Sequence, residues 1–163
     1  GPRLNPVRTA SRRAHAGDGA TVAEQMAALQ QMCSDTEVER AERHAAESLY
    51  VRLGGSERIH ELTREVVRLH NQNDAIKHMF VHVDGEDLAR KVADFVASGT
   101  GGPQGYSGRD LPSSHETLHL TDGDFLSAGN DIVTAMQTKG YGQNEIDEVV
   151  CILVALKDQV VFE

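Results

Sequence analysis

Residues 111–119, in the second half of the chain, present a histidine whose chemistry suits metal binding. Pro112 ends the preceding segment and Ser113 predicts a helix cap, with Glu116 three residues later completing a capping box. This arrangement fixes His115 in the first turn of a helix. Neutral imidazole is the commonest transition-metal ligand in proteins, so His115 is a candidate ligand. The alternative is an exposed helical histidine, and the choice between them depends on the rest of the chain.

A lysine falls within the apolar stripe of the helix that we predict over residues 85–99. The stripe consists of Leu88, Val92, Phe95 and Gly99, which recur at helical spacing. Lys91 either lies at the stripe edge and extends its amine to water, or directs the amine at a buried group that takes up a lone pair, such as a metal. Lys91 and His115 are 24 residues apart, with a Gly-Gly-Pro break between them. This is enough chain to place them on opposite faces of a flat cofactor.

Charge and hydropathy exclude several classes of function. The 163-residue chain has a net charge of −9 and a mean hydropathy of −0.40, which suits one soluble domain. Positions 20 to 163 hold 12 basic and 24 acidic residues, so the domain is acidic and we expect no nucleic-acid partner. Residues 149–156 form a long apolar run, but it is too short to span a membrane, and no membrane partner is expected.

The N-terminal part of the chain divides into two segments before the main domain. Residues 1–20 are basic and rich in Ala and Ser without hydrophobic periodicity, which predicts a disordered tail. This composition suits the remnant of an organellar transit peptide, and a tail without function is the alternative. We predict an N-terminal extension with a first helix over residues 21–48 and the main domain over residues 49–163.

The two cysteines, Cys33 and Cys151, match no metal-binding or redox spacing. We expect them to be unpaired, buried, small apolar side chains. Unpaired cysteines are compatible with a reducing compartment. The expected location is therefore the cytoplasm or an organelle, with the chloroplast as a candidate.

Apolar residues at helical spacing predict helices throughout the main domain and its approach. The predicted helices cover residues 37–53, 56–71, 85–99, 121–139 and 143 onward, with a short turn over 74–80. The glycine pairs at 54–55 and 101–102 mark tight corners. No segment alternates as a β-strand would, so the fold class is all-α.

From about Leu49 onward the chain resembles the group I truncated haemoglobins, the two-on-two helical globins. The residues that carry the resemblance are Leu49-Tyr50, Leu53-Gly54-Gly55, Phe80, Gly101-Gly102-Pro103, Tyr106-Ser107-Gly108-Arg109, His115, Leu120-Thr121-Asp122 and Phe125. Each is a weak signal alone, but their order and spacing around one histidine form a strong one. The resemblance implies a two-on-two helical sandwich around haem b.

The resemblance also implies roles for single residues. His115 would be the proximal haem ligand, with His119 as its rival, and Phe80 would wedge against the haem plane. A zinc site on the two histidines is a further alternative, although no Cys or carboxylate set is near them. Arg109 is a candidate partner of a haem propionate, or else a solvated arginine. The implied apolar pocket consists of Leu88, Val92 and Phe95 on the distal and inner side and Leu111, Leu120 and Phe125 on the proximal side.

Two departures from the family bear on mechanism. Many members carry a tyrosine and a glutamine that stabilise bound dioxygen, where this chain has Val67 and Val92. Lys91 falls where some members, including algal relatives with a lysine, carry a sixth iron ligand. A ligating lysine must be neutral, and removing its proton near neutral pH costs roughly 4 to 5 kcal/mol. Iron coordination and apolar burial would have to exceed that cost.

The resemblance implies a haem protein that binds O2 and NO, with His115 proximal and Lys91 as an exchangeable sixth ligand. The leading interpretation is oxidation of nitric oxide to nitrate, supported by an unidentified electron donor. The alternative is a haem-based redox or gas sensor, or an electron-transfer protein. A haem-free helical adaptor is a third class, which a Soret band on adding haem would exclude.

Overall fold

The computed structural model describes residues 19–103, 106 and 110–161 of the chain. The α-helices are α1 (Val22–Asp35), α2 (Glu37–Ala46), α3 (Leu49–Arg52), α4 (Gly55–Gln72), α5 (Gly85–Gly99), α6 (Leu111–His115), α7 (Asp122–Thr138) and α8 (Gln143–Leu156). Short 3-10 turns cover Lys77–Phe80, Glu116–Leu118 and Lys157–Gln159. In these ranges the strand-like structure is an isolated parallel bridge between Leu120 and Val161. The predicted all-α class is confirmed.

One predicted boundary is wrong, because the helix expected over residues 37–53 is two helices. Glu47 has an extended backbone that ends α2. The Ser48 side chain then caps α3 by accepting a hydrogen bond from the Val51 amide at 3.3 Å. A serine that satisfies a free amide favours a new helix start over continuation. The break turns α3 so that its buried residues, Leu49 and Leu53, face the core.

Helices α4 and α5 pack closely as the first helical pair. The buried side chains of α4 are Ile59, Leu62, Thr63, Val66 and Val67, which recur at the spacing of one helix face. The α5 residues that are buried are all small: Ala89, Ala93 and Ala97. The Thr63 hydroxyl donates a hydrogen bond to the Ala89 carbonyl at 2.8 Å, so the two backbones approach directly. The small face of α5 therefore belongs to α4, and the large apolar side chains of α5 lie on a different face.

Helices α7 and α8 form the second pair, and α4 packs against α7 to join the two pairs. Helix α1 lies against both α7 and α8. The core between them consists of Leu29 and Met32 from α1, Val133 and Met136 from α7, and Ile146 and Val150 from α8. This is a two-on-two arrangement with one added helix, stabilised mainly by burial of these side chains.

Cys33 in α1 and Cys151 in α8 form a disulfide, so the prediction that they are unpaired is wrong. Packing of α1 on α8 brings their Cα atoms to 5.5 Å, although the residues are 118 positions apart in sequence. Disulfides persist mainly in oxidising compartments. The cysteines therefore no longer support a reducing compartment.

A buried carboxylate also ties the N-terminal extension to α8. Glu148 accepts hydrogen bonds from Arg52 in a bidentate pair and from Arg43 Nε at 3.1 Å. Burial alone would raise the pKa of Glu148, but the hydrogen bonds and charges of the two arginines outweigh it and hold the pKa below its ordinary value. The cluster fixes α2 and α3 against the globular core.

The Gly101-Gly102-Pro103 corner after α5 packs against Tyr50 in α3, which explains why glycine occurs there. The Tyr50 amide donates a hydrogen bond to the Thr100 carbonyl at 2.9 Å, which joins α3 to the end of α5. A Cβ at Gly102 would lie 2.6 Å from the Tyr50 ring and 2.7 Å from the Ala97 carbonyl oxygen. Glycine is therefore required where the chain crosses the tyrosine ring.

Residues 1–18 of the predicted tail are outside the described residues, and the division at positions 20 and 48 stays a prediction. Within the described ranges, no helix is both long and apolar enough to cross a membrane.

Candidate functional site

His115 closes the short helix α6 and is held by the backbone of its own turn. Its Nδ1 lies 2.9 Å from the Leu111 carbonyl oxygen and 2.9 Å from Ser114 Oγ. A carbonyl oxygen only accepts, so Nδ1 carries the proton in this contact and Nε2 is the nitrogen with the lone pair. Metal-binding histidines in proteins commonly have their second nitrogen fixed in this way. The imidazole is thus oriented and in the tautomer that binds a metal through Nε2.

The predicted cap of this helix is wrong in detail. Asp110, not Ser113, is the N-cap, and its side chain accepts a hydrogen bond from the Ser113 amide at 2.8 Å. Pro112 lies in the first turn, where a missing amide proton costs no helical hydrogen bond. The hydrogen bond to the Ser113 backbone lowers the pKa of Asp110. His115 is therefore one turn after the cap, at the helix end.

His119, the rival ligand, lies in a different environment. It follows the Glu116–Leu118 turn with a left-handed backbone, φ 53°, and is exposed, whereas His115 is half-buried. Across the described ranges, no three His, Cys, Asp or Glu side chains group into a metal site, so the zinc alternative gains no third ligand. Arg109 lies outside the described residues.

Helix α5 presents a second face beside its alanine face. Leu88, Val92 and Phe95 share this second face and are half-buried, whereas the alanines are buried. The Phe95 ring meets the Tyr106 ring edge to face, with centroids 5.2 Å apart. Large apolar side chains without full burial are suited to covering a flat apolar group. Val67 is buried at the α4–α5 contact, where its Cγ1 lies 3.4 Å from the position of a Cβ at Gly85.

Lys91 lies at the exposed edge of this face. Its side chain is 60% exposed, and Nζ lies 3.0 Å from Asp87 Oδ2 one turn earlier. Of the two alternatives drawn from the sequence, this structure shows the edge position. Coordination of iron by Lys91 would require the side chain to leave Asp87, and it stays a prediction.

Phe80, at the end of the Lys77–Phe80 turn, is half-buried and stacks on His70 of α4 with ring centroids 5.4 Å apart. His70 Nδ1 lies 2.7 Å from Asp131 Oδ2 on α7. The sequence pattern did not single out His70 as a neighbour of Phe80. It could have indicated that His70 points inward, because His70 continues the buried α4 face three residues after Val67.

The proximal residues expected from the sequence lie on three elements. Leu111 is in α6, Leu120 forms the bridge to Val161, and Phe125 is in the first turn of α7; all three are half-buried. Phe125 also lines a shallow, open cleft between α1, α7 and α8, together with Leu29, Leu126, Val133, Val150 and Leu153. The structure thus associates Phe125 with the N-terminal helix, a neighbour that the sequence did not indicate.

These residues fit a haem group by their chemistry. His115 offers one oriented Nε2 lone pair, and Phe80, Leu88, Val92 and Phe95 offer apolar and aromatic surface that the protein core does not use. Such a set binds a large apolar ring by one axial ligand better than it binds a bare cation, which needs several charged or polar ligands.

Comparison with known proteins decides the family. A family model described as bacterial-like globin matches residues 48–162. The chain belongs to the bacterial-like globin family. This globin is 22% identical over 106 residues to the group 1 truncated hemoglobin of Tetrahymena thermophila, covering 65% of the chain and 88% of that relative. It is 27% identical over 109 residues to a group 1 truncated hemoglobin of Synechocystis, covering 64% of the chain and 88% of that relative.

Solved structures show the same fold. The truncated hemoglobin of Tetrahymena pyriformis in its Fe(III) form is 18% identical with a TM-score of 0.68, covering 72% of this chain and all of that one. The 2/2 hemoglobin of Synechococcus sp. PCC 7002, in the cyanomet state with covalently attached heme, is 27% identical with a TM-score of 0.66, covering 70% of this chain and 98% of that one. The expected truncated-globin fold is confirmed, and the family supports a haem cofactor and the binding of small gas molecules.

Proposed function

We propose that this globin binds haem b through His115 Nε2 and uses it to bind O2 and NO. The observation that carries the proposal is the contact of His115 Nδ1 with the Leu111 carbonyl, which leaves Nε2 as the coordinating atom. Haem iron, when bound, supplies the binding position for dioxygen and the chemistry that converts nitric oxide to nitrate. An unidentified electron donor would return the iron to the ferrous state.

The proposed haem contacts lie on the Leu88, Val92 and Phe95 face of α5, on neighbouring residues of α4 and the Phe80 turn, and on the elements around α6. We assign the distal side to Val67, Leu88 and Val92, with Phe95 and Phe80 against the ring. We assign the proximal side to Leu111, Leu120 and Phe125, and a propionate contact to Arg109. Because Val67 and Val92 donate no hydrogen bond, the distal side gives bound dioxygen little polar support.

Lys91 is proposed as an exchangeable sixth ligand. In this structure its ammonium is exposed and lies 3.0 Å from Asp87 Oδ2. To coordinate, the side chain must leave Asp87, lose its proton and turn over the Leu88 and Val92 face. The side chain would thus hold the distal position closed or leave it open to O2 and NO.

The surface position of Lys91 also favours a second function. A change of sixth ligand would add or remove a cation on the exposed face of α5, which is a signal that a partner protein can read. A haem-based redox or gas sensor, or an electron-transfer protein, would use this change. Nitric oxide consumption by the oxygenated ferrous protein distinguishes the two, because only the first function predicts repeated turnover to nitrate with a reductant.

The compartment and the domain division remain part of the proposal. We propose an organelle rather than the cytoplasm, with the chloroplast as the candidate. The Cys33–Cys151 pair favours a compartment in which the redox poise permits a disulfide. We keep residues 49–163 as the globin domain and residues 21–48 as an extension fixed to it.

Haem titration with matched histidine variants tests the ligand assignment. The wild-type apoprotein should give a Soret band that saturates at one haem per chain. His115→Gly should bind haem weakly and regain the band when imidazole is added, because imidazole fills the vacated axial position. His119→Gly should behave as wild type. Rescue of His119→Gly but not of His115→Gly would reverse the assignment, and no Soret band in any protein would support a haem-free adaptor.

A further inference from the structure

We propose that His70 is a positioning residue for the haem site. Its ring holds the Phe80 ring in place, and Asp131 fixes the orientation of the His70 ring. This inference rests on the proposed function, because it takes Phe80 to contact haem. It adds two residues, on α4 and α7, that neither the sequence pattern nor the family resemblance assigned.

The contact between the two rings is direct. The His70 and Phe80 centroids lie 5.4 Å apart with an interplanar angle of 23°, which is an offset stack. Phe80 ends a 3-10 turn of four residues, and such a turn holds its side chains poorly by itself. The His70 ring, on an 18-residue helix, is the rigid surface against which Phe80 is set.

Asp131 fixes the orientation of the His70 ring. A carboxylate oxygen accepts, so His70 Nδ1 donates to Asp131 Oδ2 over 2.7 Å. The side chains of His70 and Asp131 are only 13% and 17% exposed, which limits competition from water. A ring held by this bond cannot rotate about its Cβ–Cγ bond without breaking it. Asp131, on α7, thereby fixes the plane of the His70 ring on which Phe80 stacks.

The same carboxylate also anchors the start of the segment that leads to Phe80. Asn73 Nδ2 donates to Asp131 Oδ2 at 3.0 Å and to Ser127 Oγ at 2.9 Å. Asn73 Oδ1 accepts from the Ala75 amide at 3.0 Å, which shapes the turn after α4. Asp131 therefore fixes both the ring under Phe80 and the backbone before it. One carboxylate thus holds both groups, His70 and Asn73, that position the Phe80 side chain.

The rate of haem transfer from the full-length holoprotein to excess apomyoglobin tests the proposal. His70→Ala should speed haem loss roughly two- to tenfold, the range expected for an aromatic stack. Asp131→Ala should match it, and Asp131→Asn, which keeps an acceptor for Nδ1, should restore a rate near that of wild type. His78→Ala, an exposed histidine in the Phe80 turn, is the control and should change nothing.

A second measurement distinguishes positioning from a general loss of stability. In proton NMR spectra of the cyanide complex, His70→Ala should shift the Phe80 ring resonances, and the helicity of the apoprotein should stay unchanged. In a Phe80→Leu background, His70→Ala should add no further acceleration. Independent, additive acceleration would overturn the role of His70 while leaving Phe80 at the haem. If Phe80→Leu alone had no effect, the assignment of Phe80 and this inference would both fail, whereas His115→Gly would still test the proximal ligand.

Discussion

Lys91 Nζ lies 3.0 Å from Asp87 Oδ2, one turn earlier on the exposed face of α5. If Lys91 is the sixth ligand, this pair competes with coordination. The ferric protein near neutral pH should then be six-coordinate and low-spin, and Lys91→Ala should be high-spin with water at the iron. Absorption and electron paramagnetic resonance spectra measure both states. A single spectrum shared by wild type and Lys91→Ala would leave Lys91 as a surface residue.

Removing the competing carboxylate should shift this balance toward coordination. An exposed pair one turn apart is worth about 0.3 to 0.5 kcal/mol, so Asp87→Asn should raise the ratio of coordinated to free Lys91 about twofold. Cyanide association, which has to wait for the amine to leave, should slow to a similar degree. Asp94→Asn, at another exposed position of α5, is the matched control and should leave the rate unchanged.

The apolar distal side should hold dioxygen weakly, and a hydroxyl group introduced at position 67 should strengthen dioxygen binding. Val67→Tyr places a donor where many relatives have one, and a hydrogen bond worth about 1 kcal/mol should slow dioxygen release about fivefold. Val67→Phe adds the same ring without the hydroxyl and should not slow release in this way. Stopped-flow displacement by carbon monoxide measures the rate. Equal slowing in both variants would assign the effect to size rather than to hydrogen bonding.

Glu148 should be a principal source of acid sensitivity. The pKa of the folded-state carboxyl lies below its ordinary value of 4.5 because Arg52 and Arg43 outweigh the effect of burial. The pair therefore stabilises the fold above about pH 4.5, and this contribution disappears as the pH falls through the lower folded-state pKa. Glu148→Ala should lower the free energy of unfolding at pH 7 by about 1.5 to 3 kcal/mol, because Arg52 and Arg43 lose their hydrogen bonds to a buried carboxylate, while Arg52 keeps Glu145 at 3.6 Å.

Urea unfolding followed by circular dichroism between pH 3 and 7 measures this effect. Glu148→Ala should show a flatter pH profile than wild type below pH 4.5. Glu145→Gln is the control, since Glu145 is more exposed and lies 3.6 Å from Arg52. If Glu145→Gln were as unstable as Glu148→Ala, the loss of stability would reflect the disturbance of Arg52 in general and not the loss of the buried carboxylate.

The disulfide should contribute strongly to stability. Closing a loop of this length restricts the unfolded chain, and native disulfides typically contribute about 2 to 4 kcal/mol. Reducing Cys33–Cys151 should lower the free energy of unfolding by that amount and loosen α1 first, which hydrogen exchange of α1 amides would detect. The Cys33→Ser, Cys151→Ser double variant should have the lower stability with or without reductant. An unchanged wild-type unfolding midpoint in reductant would show that the bond contributes nothing.

The sequence predicts the helices well and places His115 in a short helix, because both features are local. Helical spacing identifies α4, α5 and α7, and a histidine beside a proline-led helix start is a short-range pattern. The sequence pattern indicates Ser113 as the cap where the structure has Asp110, because both residue types accept amide hydrogen bonds and lie three residues apart.

The features that were missed depend on contacts between distant segments. On α5 the alanine face and the Leu88 face are both apolar, so hydrophobicity alone does not show that the small residues face α4. Lys91 lies only one turn from Asp87, but the direction of a stripe-edge side chain depends on neighbouring helices. The disulfide joins residues 118 positions apart, and no local pattern determines such pairing.

The disulfide also constrains the order of events during translation. Cys33 leaves the ribosome long before its partner, because 118 residues separate the two. At about 5 to 20 residues per second, roughly 6 to 24 s pass before Cys151 is made. Throughout this interval the nascent chain carries a free thiol on a helix whose packing surface, α8, does not yet exist. Correct pairing therefore has to wait until α8 has been made and α1 has packed against it.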